Sequence, residues 1–231
     1  MTEFVIKVIL SYLLGSVVGS LLVGRLRGGV DIRRLGSGNA GGTNALRTQG
    51  KVFAFWVLLI DIGKGWIATR VLAPLVIPGV SADVAASSPV LQDSPLVIHP
   101  HDWVAVACGM AVMLGHIYPL WYGFRGGKGV ATLVGAVLGL SPWLLAPMLV
   151  AWLIAVTLFG YVGLASMLGA VALAVTTAVG AREGRAPLVT FGVLTVVLVA
   201  FTHRSNIARM LAGTEPRARR LWVFGLRRGS V

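Results

Sequence analysis

This sequence contains few charged residues, and acidic residues are fewer than basic ones. Only 12% of the 231 residues are charged, and only eight residues are Asp or Glu. Soluble domains carry about twice that charged fraction, so the composition excludes an ordinary soluble domain. Eight acids also provide little material for a carboxylate cage around a metal ion. We therefore expect no metal and no cofactor.

Cysteine is almost absent. The single Cys108 lies within an apolar run, which excludes disulfides and sites built from several thiolates. A thioester on this side chain is chemically conceivable, but a lone cysteine in an apolar run is more typical of a small packing residue.

Long apolar runs dominate the rest of the chain, in which 56% of residues are hydrophobic. Several runs are long enough to cross a hydrocarbon core of about 30 Å, so the sequence predicts an all-α polytopic membrane protein. A signal peptide is excluded at the N-terminus because the first run is too long and lacks a cleavage site of small residues. The predicted spans are Phe4–Val23, Val52–Leu72, Trp103–Leu120, Val130–Leu140, Trp143–Phe159, Val162–Val179 and Leu188–Phe201.

Basic residues predict how these spans are oriented. The net charge is +12, and Lys and Arg concentrate in residues 25–51 and in the tail after His203. Both segments are expected in the cytoplasm under the positive-inside rule, which explains the charge better than nucleic-acid binding does. The segment 73–102 has no Lys or Arg and is expected outside. An even number of crossings must then separate the two basic segments, which predicts seven spans with the N-terminus outside and the C-terminus in the cytoplasm.

This topology predicts a single membrane-embedded domain, 1–231, with an outer loop at 73–102 and a basic cytoplasmic tail at 216–231. Arg182 and Arg185 are the exception, since they are placed outside. The polar motifs of the sequence all fall on the cytoplasmic face.

The first motif is GSGNAGGTNALR, residues 36–47. Its four glycines permit a concave backbone that can bind an anion, and its Ser, Thr and Asn side chains add donors. Arg47 supplies a planar fork suited to bidentate phosphate recognition. A flexible polar connector is the alternative, but it does not require two amides and an arginine at this spacing.

The second motif is FRGGKGVAT, residues 124–132. It differs from an ATP-binding P-loop because Gly129, and not Ser or Thr, follows Lys128. A glycine-rich turn that opens a helix, with Lys128 and Arg125 nearby, still suits a phosphate. A basic anchor at the membrane surface is the alternative.

The third motif is HRSNIARMLAGTE, residues 203–215. On a helix, His203 and Asn206 share a face, and Glu215 follows after a turn at Gly213. A histidine at the end of a span is often only interfacial, but the nearby Asn and acid favour a functional role.

Two ionisable residues, Asp61 and Lys64, lie well inside the second predicted span. Ionisable groups at that depth suggest function by default. At i, i+3 spacing they can also neutralise each other as a structural ion pair. Gly15 and Gly19 in the first span fit close helix packing.

The three motifs, with GHIYPLWYGFRGGKGVAT at 115–132 in the middle, resemble the bacterial membrane acyl-phosphate:glycerol-3-phosphate acyltransferases, the PlsY family. The resemblance covers the chain from the first span to about Glu215. Gly42 stands where the family usually has Ala, and Gly163 where a hydroxyl residue is expected.

The resemblance implies transfer of an acyl group from acyl phosphate to the 1-hydroxyl of glycerol 3-phosphate, giving lysophosphatidic acid and phosphate, in the bacterial cytoplasmic membrane. Its partners would be these two substrates and membrane lipids, with no nucleic acid and no obligate protein partner. The implied catalytic residues are Ser37, Arg47, Lys128, His203, Asn206 and Glu215. The implied acyl-phosphate pocket comprises Gly38, Asn39, Gly41, Thr43, Asn44, Gly126 and Gly127.

Two further observations bear on the reaction. The HxxxxD pair of a soluble acyltransferase class is absent, because the residues five positions after the four histidines are Val104, Val106, Trp121 and Ala208. A transporter of a phosphorylated or anionic solute is the alternative function. It would require binding groups near the bilayer midplane and two inverted repeats, and the sequence shows no such symmetry.

Overall fold

The computed structural model describes residues 1–77, 103–180, 186–218 and 221–223, and within these ranges every regular element is a helix. This confirms the predicted all-α class. Arg182, Arg185, most of the predicted outer loop and most of the basic tail lie outside the described residues. The chain forms two compact units, Met1–Pro142 and Trp143–Val231, which are described separately.

The described residues of the first unit form six α-helices. Helix α4 continues as a π-helical segment at Ala68–Leu72, and short 3₁₀ turns occur at Ile32–Arg34 and Leu120–Tyr122. The α-helices are α1 (Thr2–Gly15), α2 (Gly19–Leu26), α3 (Gly42–Gln49), α4 (Lys51–Ile67), α5 (Trp103–Ile117) and α6 (Val130–Leu140).

Glycines allow these helices to approach one another closely. Helix α1 packs on α5, and α2 and α6 pack on α4. A Cβ on Gly15 would overlap the Val112 carbonyl of α5, and one on Gly19 would come within 2.8 Å of the Val57 carbonyl oxygen of α4. Small residues are the usual means of close helix contact in lipid. The packing role predicted for both glycines is confirmed.

The first predicted span is broken, which the apolar pattern did not indicate. Helices α1 and α2 are bent by 48°. The carbonyl oxygens of Gly15 and Val17 accept hydrogen bonds from Lys64 Nζ at 2.9 and 2.8 Å, and the amide of Gly19 donates to Asp61 Oδ1 at 3.0 Å. A broken helix in a membrane needs such partners for its freed backbone groups. The buried ion pair therefore supports the break.

The second unit contains α7 (Leu145–Phe159), α8 (Val162–Val179), α9 (Ala186–Thr202) and α10 (Arg204–Leu211). Helix α8 packs against α7 and α9, and α10 packs against α8 and α9. The amide of Ala218 donates to the Gly160 carbonyl at 2.8 Å, so the start of the tail is fixed to the turn between α7 and α8.

The helices agree with a membrane location. Four of them have the length and hydropathy of a span: Lys51–Leu72, Trp103–Tyr122, Pro142–Phe159 and Val162–Val179. The bent pairs α1–α2 and α9–α10 raise the number in the described residues to six if each pair is one span. Helix α6 has 11 residues and a length of about 16 Å, about half of the hydrocarbon thickness. A seventh crossing there and the orientation of the termini stay predictions.

Candidate active site

One buried amide, Asn44, gives the loop at 36–47 its shape. Its Oδ1 accepts a hydrogen bond from the Ser37 amide at 3.0 Å. Its Nδ2 lies 3.0 Å from the carbonyl oxygens of Ile32, Leu35 and Asn39. Asn44 is 1% exposed, so its side chain organises the loop from the inside.

The loop is also fixed to the hydrophobic core of the first unit. Ile32, Ala40 and Ala45 are fully buried, and the Ser20 hydroxyl donates to the Ala40 carbonyl at 2.7 Å. Gly38 has a φ of +72°, a conformation that residues with a Cβ rarely adopt. Specific contacts therefore hold the loop, which the flexible-connector interpretation does not require.

Donors suited to an anion lie where the loop enters α3. This helix begins at Gly42, and the amides of its first turn have no intrahelical acceptor. These amides and the helix dipole favour an anion at this end. Thr43 and Arg47 stand four residues apart, on one face, and both are exposed. Arg47 has no carboxylate partner among the described residues.

The second glycine motif forms a turn before α6. We define the glycine turn as residues 123–129. The Gly126 amide donates to the Ile117 carbonyl at 3.0 Å, and the Gly127 amide donates to the His116 carbonyl at 3.1 Å. These two amides are thus used within the protein. A Cβ at Gly127 would overlap Nε2 of His116.

The free amides of this motif are at the start of α6. The helix begins at Val130 after Gly129, whose φ is +82°, and its first-turn amides have no intrahelical acceptor. The hydroxyl of Thr132 in this turn is fully buried and has no hydrogen-bond partner among the described residues. Lys128 is half-buried immediately before the helix. The motif therefore presents a second helix N-terminus with a cation beside it.

Arg33 joins the two motifs. Its Nη1 donates to the carbonyl oxygens of Tyr122 at 3.0 Å and Arg125 at 2.9 Å. Its Nε and Nη2 bind Asp31, with Nη2 2.8 Å from Oδ2. One guanidinium thus connects the residues before the first loop with the glycine turn, about 90 positions later. The structure brings the two motifs of the first unit together.

The Asp31–Arg33 pair is charged at neutral pH. The hydrogen bond from the Arg33 guanidinium lowers the pKa of the Asp31 carboxyl, and the same bond raises the pKa of Arg33. A carboxylate stabilised in this way keeps its partner in place until the pH falls well into the acidic range.

A buried polar cluster lies next to the glycine turn. The predicted ion pair is confirmed, with Lys64 Nζ 3.0 Å from Asp61 Oδ1. His116 completes the cluster, because its Nδ1 lies 2.8 Å from Lys64 Nζ and 3.3 Å from Asp61 Oδ1. All three side chains are at most 3% exposed. Sequence reasoning missed His116 because it lies 52 positions from Lys64.

The third motif lies in the second unit. His203 is the residue before α10 and is 3% exposed. Its Nδ1 lies 2.8 Å from the Val199 carbonyl oxygen, an acceptor, so Nδ1 carries a proton. Nε2 is then the accepting nitrogen of the neutral ring. This tautomer suits a proton acceptor.

Asn206 and Glu215 are brought together as the sequence suggested. Asn206 Nδ2 donates to Glu215 Oε1 at 2.6 Å, and Arg209 Nε donates to Oε2 at 2.6 Å. A Cβ on Gly163 in α8 would come within 2.9 Å of the Asn206 amide. Gly163 therefore makes room for the Asn206 side chain.

Comparison with known proteins agrees with this reading of the motifs. The model of a family described as glycerol-3-phosphate acyltransferase matches residues 5–213. A glycerol-3-phosphate acyltransferase from Coxiella burnetii (strain CbuG_Q212) is 36% identical, covering 94% of this chain and 98% of the relative. One from Bordetella pertussis (strain Tohama I / ATCC BAA-589 / NCTC 13251) is 37% identical, covering 91% and 89%.

A solved structure is also similar. PlsY, an integral membrane glycerol 3-phosphate acyltransferase crystallised in a glycerol 3-phosphate form, is 32% identical and superposes with a TM-score of 0.76, covering 93% of this chain and 94% of that one. The same protein in its lysophosphatidic acid form gives a TM-score of 0.74. The chain described here is an integral membrane acyltransferase that belongs to the glycerol-3-phosphate acyltransferase (PlsY) family.

Proposed function

We propose that this protein transfers an acyl group from acyl phosphate to the 1-hydroxyl of sn-glycerol 3-phosphate. The hydroxyl oxygen forms a bond to the acyl carbon, and the bond between that carbon and the phosphate oxygen breaks. The electron pair of the broken bond leaves on inorganic phosphate, and the hydroxyl proton passes to a base. The lipid product is lysophosphatidic acid, a step of phospholipid synthesis.

One observation carries this proposal. Two loops of the first unit each lead into a helix N-terminus, with Lys128 two residues before α6 and Arg47 in the last turn of α3, on the same face as Thr43, and Arg33 links the two loops. Both substrates contain a phosphate, and one also has an acyl chain that suits a membrane protein. The relative crystallised with glycerol 3-phosphate and with lysophosphatidic acid supports the same substrate and product.

Acyl phosphate is the donor that fits these residues best. Phosphate is already a good leaving group, so the reaction needs orientation and charge stabilisation more than a covalent intermediate. The chain lacks the HxxxxD pair that would serve another donor class. We therefore propose direct attack by the glycerol hydroxyl, without metal or other cofactor.

The roles follow the motif residues. In this proposal Ser37, Arg47, Lys128, His203 and Asn206 bind the polar substrate and stabilise charge. Glu215 orients Asn206 and Arg209, which it contacts directly. The acyl-phosphate pocket is shaped by Gly38, Asn39, Gly41, Thr43, Asn44, Gly126 and Gly127.

Two groups are candidates for the base. His203 Nε2 is an accepting nitrogen in the tautomer set by Val199, and a phosphate oxygen of the substrate is the other acceptor. Replacement of His203 by Gln, which cannot act as a general base, distinguishes them. Near-normal kcat identifies the phosphate as the base, and a large fall in kcat shows that His203 is required in the chemical step.

The proposed orientation follows from the sequence. The protein crosses the bacterial cytoplasmic membrane seven times, α6 included, with its N-terminus outside and its C-terminus inside. The acyl transfer site faces the cytoplasm. The basic residues of 25–51 support this orientation.

The test is an assay on purified protein in lipid, which measures phosphate release and lysophosphatidic acid formation from glycerol 3-phosphate. We expect turnover with acyl phosphate, no turnover with acyl-CoA, and no effect of a chelator. Efficient use of acyl-CoA, or loss of activity on chelation, would overturn the proposal.

A further inference from the structure

The cluster of Asp61, Lys64 and His116 has contacts beyond the membrane-spanning helices that contain it. A buried ion pair is weak support for stability by itself, because packed apolar residues often stabilise a protein as well or better. Lys64 and Asp61 form hydrogen bonds with backbone groups at the break between α1 and α2, which accounts for their presence in the cluster. These hydrogen bonds do not account for the presence of His116.

His116 is the member of the cluster that contacts the glycine turn. Its carbonyl oxygen accepts the hydrogen bond of the Gly127 amide at 3.1 Å. A Cβ on Gly126 would overlap this same carbonyl, and a Cβ on Gly127 would overlap ring atom Nε2. The backbone of the turn therefore lies directly on the imidazole, at closer range than any residue except glycine permits.

Lys64 and Asp61 hold the imidazole in place. Nδ1 of His116 lies 2.8 Å from Lys64 Nζ and 3.3 Å from Asp61 Oδ1. The other ring nitrogen, Nε2, lies on the side of Gly127. Lys64 is itself held by the carbonyls of Gly15 and Val17. The ring that supports the turn is thus fixed from its opposite edge.

We propose that His116 is a positioning residue for the reaction, and that Lys64 and Asp61 fix its ring beneath the turn. The imidazole sets the path of Gly126 and Gly127, and through them the placement of Lys128 and of the first turn of α6. This inference rests on the proposed function, because the proposed function assigns the glycine turn to phosphate binding. The inference adds His116, which is not one of the proposed substrate-binding residues.

The test is a pair of size-compensating substitutions. Gly127→Ala places a methyl group against the fixed ring, and we expect the apparent KM for a phosphate substrate to rise by about tenfold or more, the equivalent of 1.4 kcal/mol. His116→Asn shortens the side chain and keeps a polar atom near the Nδ1 position. The apparent KM of the double variant should be lower than that of Gly127→Ala by about fivefold or more, because the effects of substitutions at two residues in contact are not additive.

Controls separate positioning from general loss of stability. Leu140→Ala creates a cavity at the opposite end of α6 from the glycine turn, where Leu140 is 4% exposed. It should lower the unfolding temperature and leave KM unchanged. If the KM of the double variant equals or exceeds the product of the two single effects, the proposal is overturned.

A second readout does not depend on turnover. Amide hydrogen exchange over residues 117–130 should be faster in His116→Asn than in the wild type, because Gly126 and Gly127 donate to backbone carbonyls that this side chain positions. Leu140→Ala should not change it. Unchanged exchange in His116→Asn overturns the inference even if the wild type is an active acyltransferase. If the wild type shows no acyl transfer, the proposed function is contradicted. The exchange rates of the wild type and His116→Asn still test whether His116 positions the glycine turn.

Discussion

At the scale of single residues, two kinds of side chain form the candidate site. Some form hydrogen bonds with the protein itself and shape the loops, and others are exposed and available to a substrate. Asn44 organises the first loop from inside, and Arg33 ties that region to the glycine turn. Arg47, in contrast, is exposed and has no carboxylate partner in the described part of the chain. Its guanidinium is therefore available to an anion, as the proposed role in binding a substrate phosphate requires.

Arg47→Lys should reduce kcat/KM by about tenfold or more, because a lysine cannot replace the two hydrogen bonds of a guanidinium fork. Arg25→Lys is the matched control, since Arg25 is exposed at the end of α2 outside both loops, and it should be near normal. Steady-state kinetics on both folded variants measure the difference. Near-normal turnover by Arg47→Lys would remove this residue from the site.

The Asp31–Arg33 pair gives a pH-dependent prediction. Its carboxyl has a lowered pKa in the folded protein, so its contribution to stability is complete above the unfolded-state pKa of about 3.9. The contribution disappears as the pH falls through the lowered value. The difference in unfolding temperature between wild type and Asp31→Asn should thus be constant from neutral pH to about 5 and shrink below about 4. A difference that grows as the pH falls would contradict the assignment.

At the scale of elements, the sequence predicted what depends on local pattern and missed what depends on distant contacts. The bounds of α6 and α8 agree with Val130–Leu140 and Val162–Val179, because uninterrupted apolar runs end at glycine or polar residues. The bend after Gly15 was missed, although adjacent Gly and Ser are a common cause of kinks. The sequence predicted that the glycines of both motifs permit a backbone that binds an anion, but it did not predict that a Cβ on Gly36 would overlap Asn44 or that one on Gly126 or Gly127 would overlap His116.

The bend between α1 and α2 predicts a specific dependence on the buried pair. Lys64→Met leaves the Asp61 carboxylate buried without its cation and should destabilise the protein by about 3–5 kcal/mol. The double variant Asp61→Asn with Lys64→Met should recover part of this loss. Lys51→Met, the same exchange at an exposed position at the start of α4, is the control and should change little. Unfolding measurements in detergent that show equal effects at both lysines would contradict the role of the pair.

At the scale of the whole molecule, family membership and the proposed orientation give a consistent account. The basic segment 25–51 and both glycine-rich motifs of the first unit lie in segments expected in the cytoplasm. Glycerol 3-phosphate is a soluble anion that does not cross lipid unaided. An acyltransferase of this kind must therefore present its site to the compartment that contains this substrate.

Acyl transfer in sealed vesicles of defined orientation tests whether the site faces the cytoplasm. Orientation is established by labelling single cysteines at the exposed positions Ser37 and Arg125 in a Cys108→Ala background with an impermeant reagent. Glycerol 3-phosphate is then supplied on one side only, with acyl phosphate present. We expect labelling at both positions from the cytoplasmic side, and lysophosphatidic acid only when glycerol 3-phosphate is on that side. Labelling of the two cysteines from opposite sides, or acyl transfer from glycerol 3-phosphate on the outer side, would contradict it.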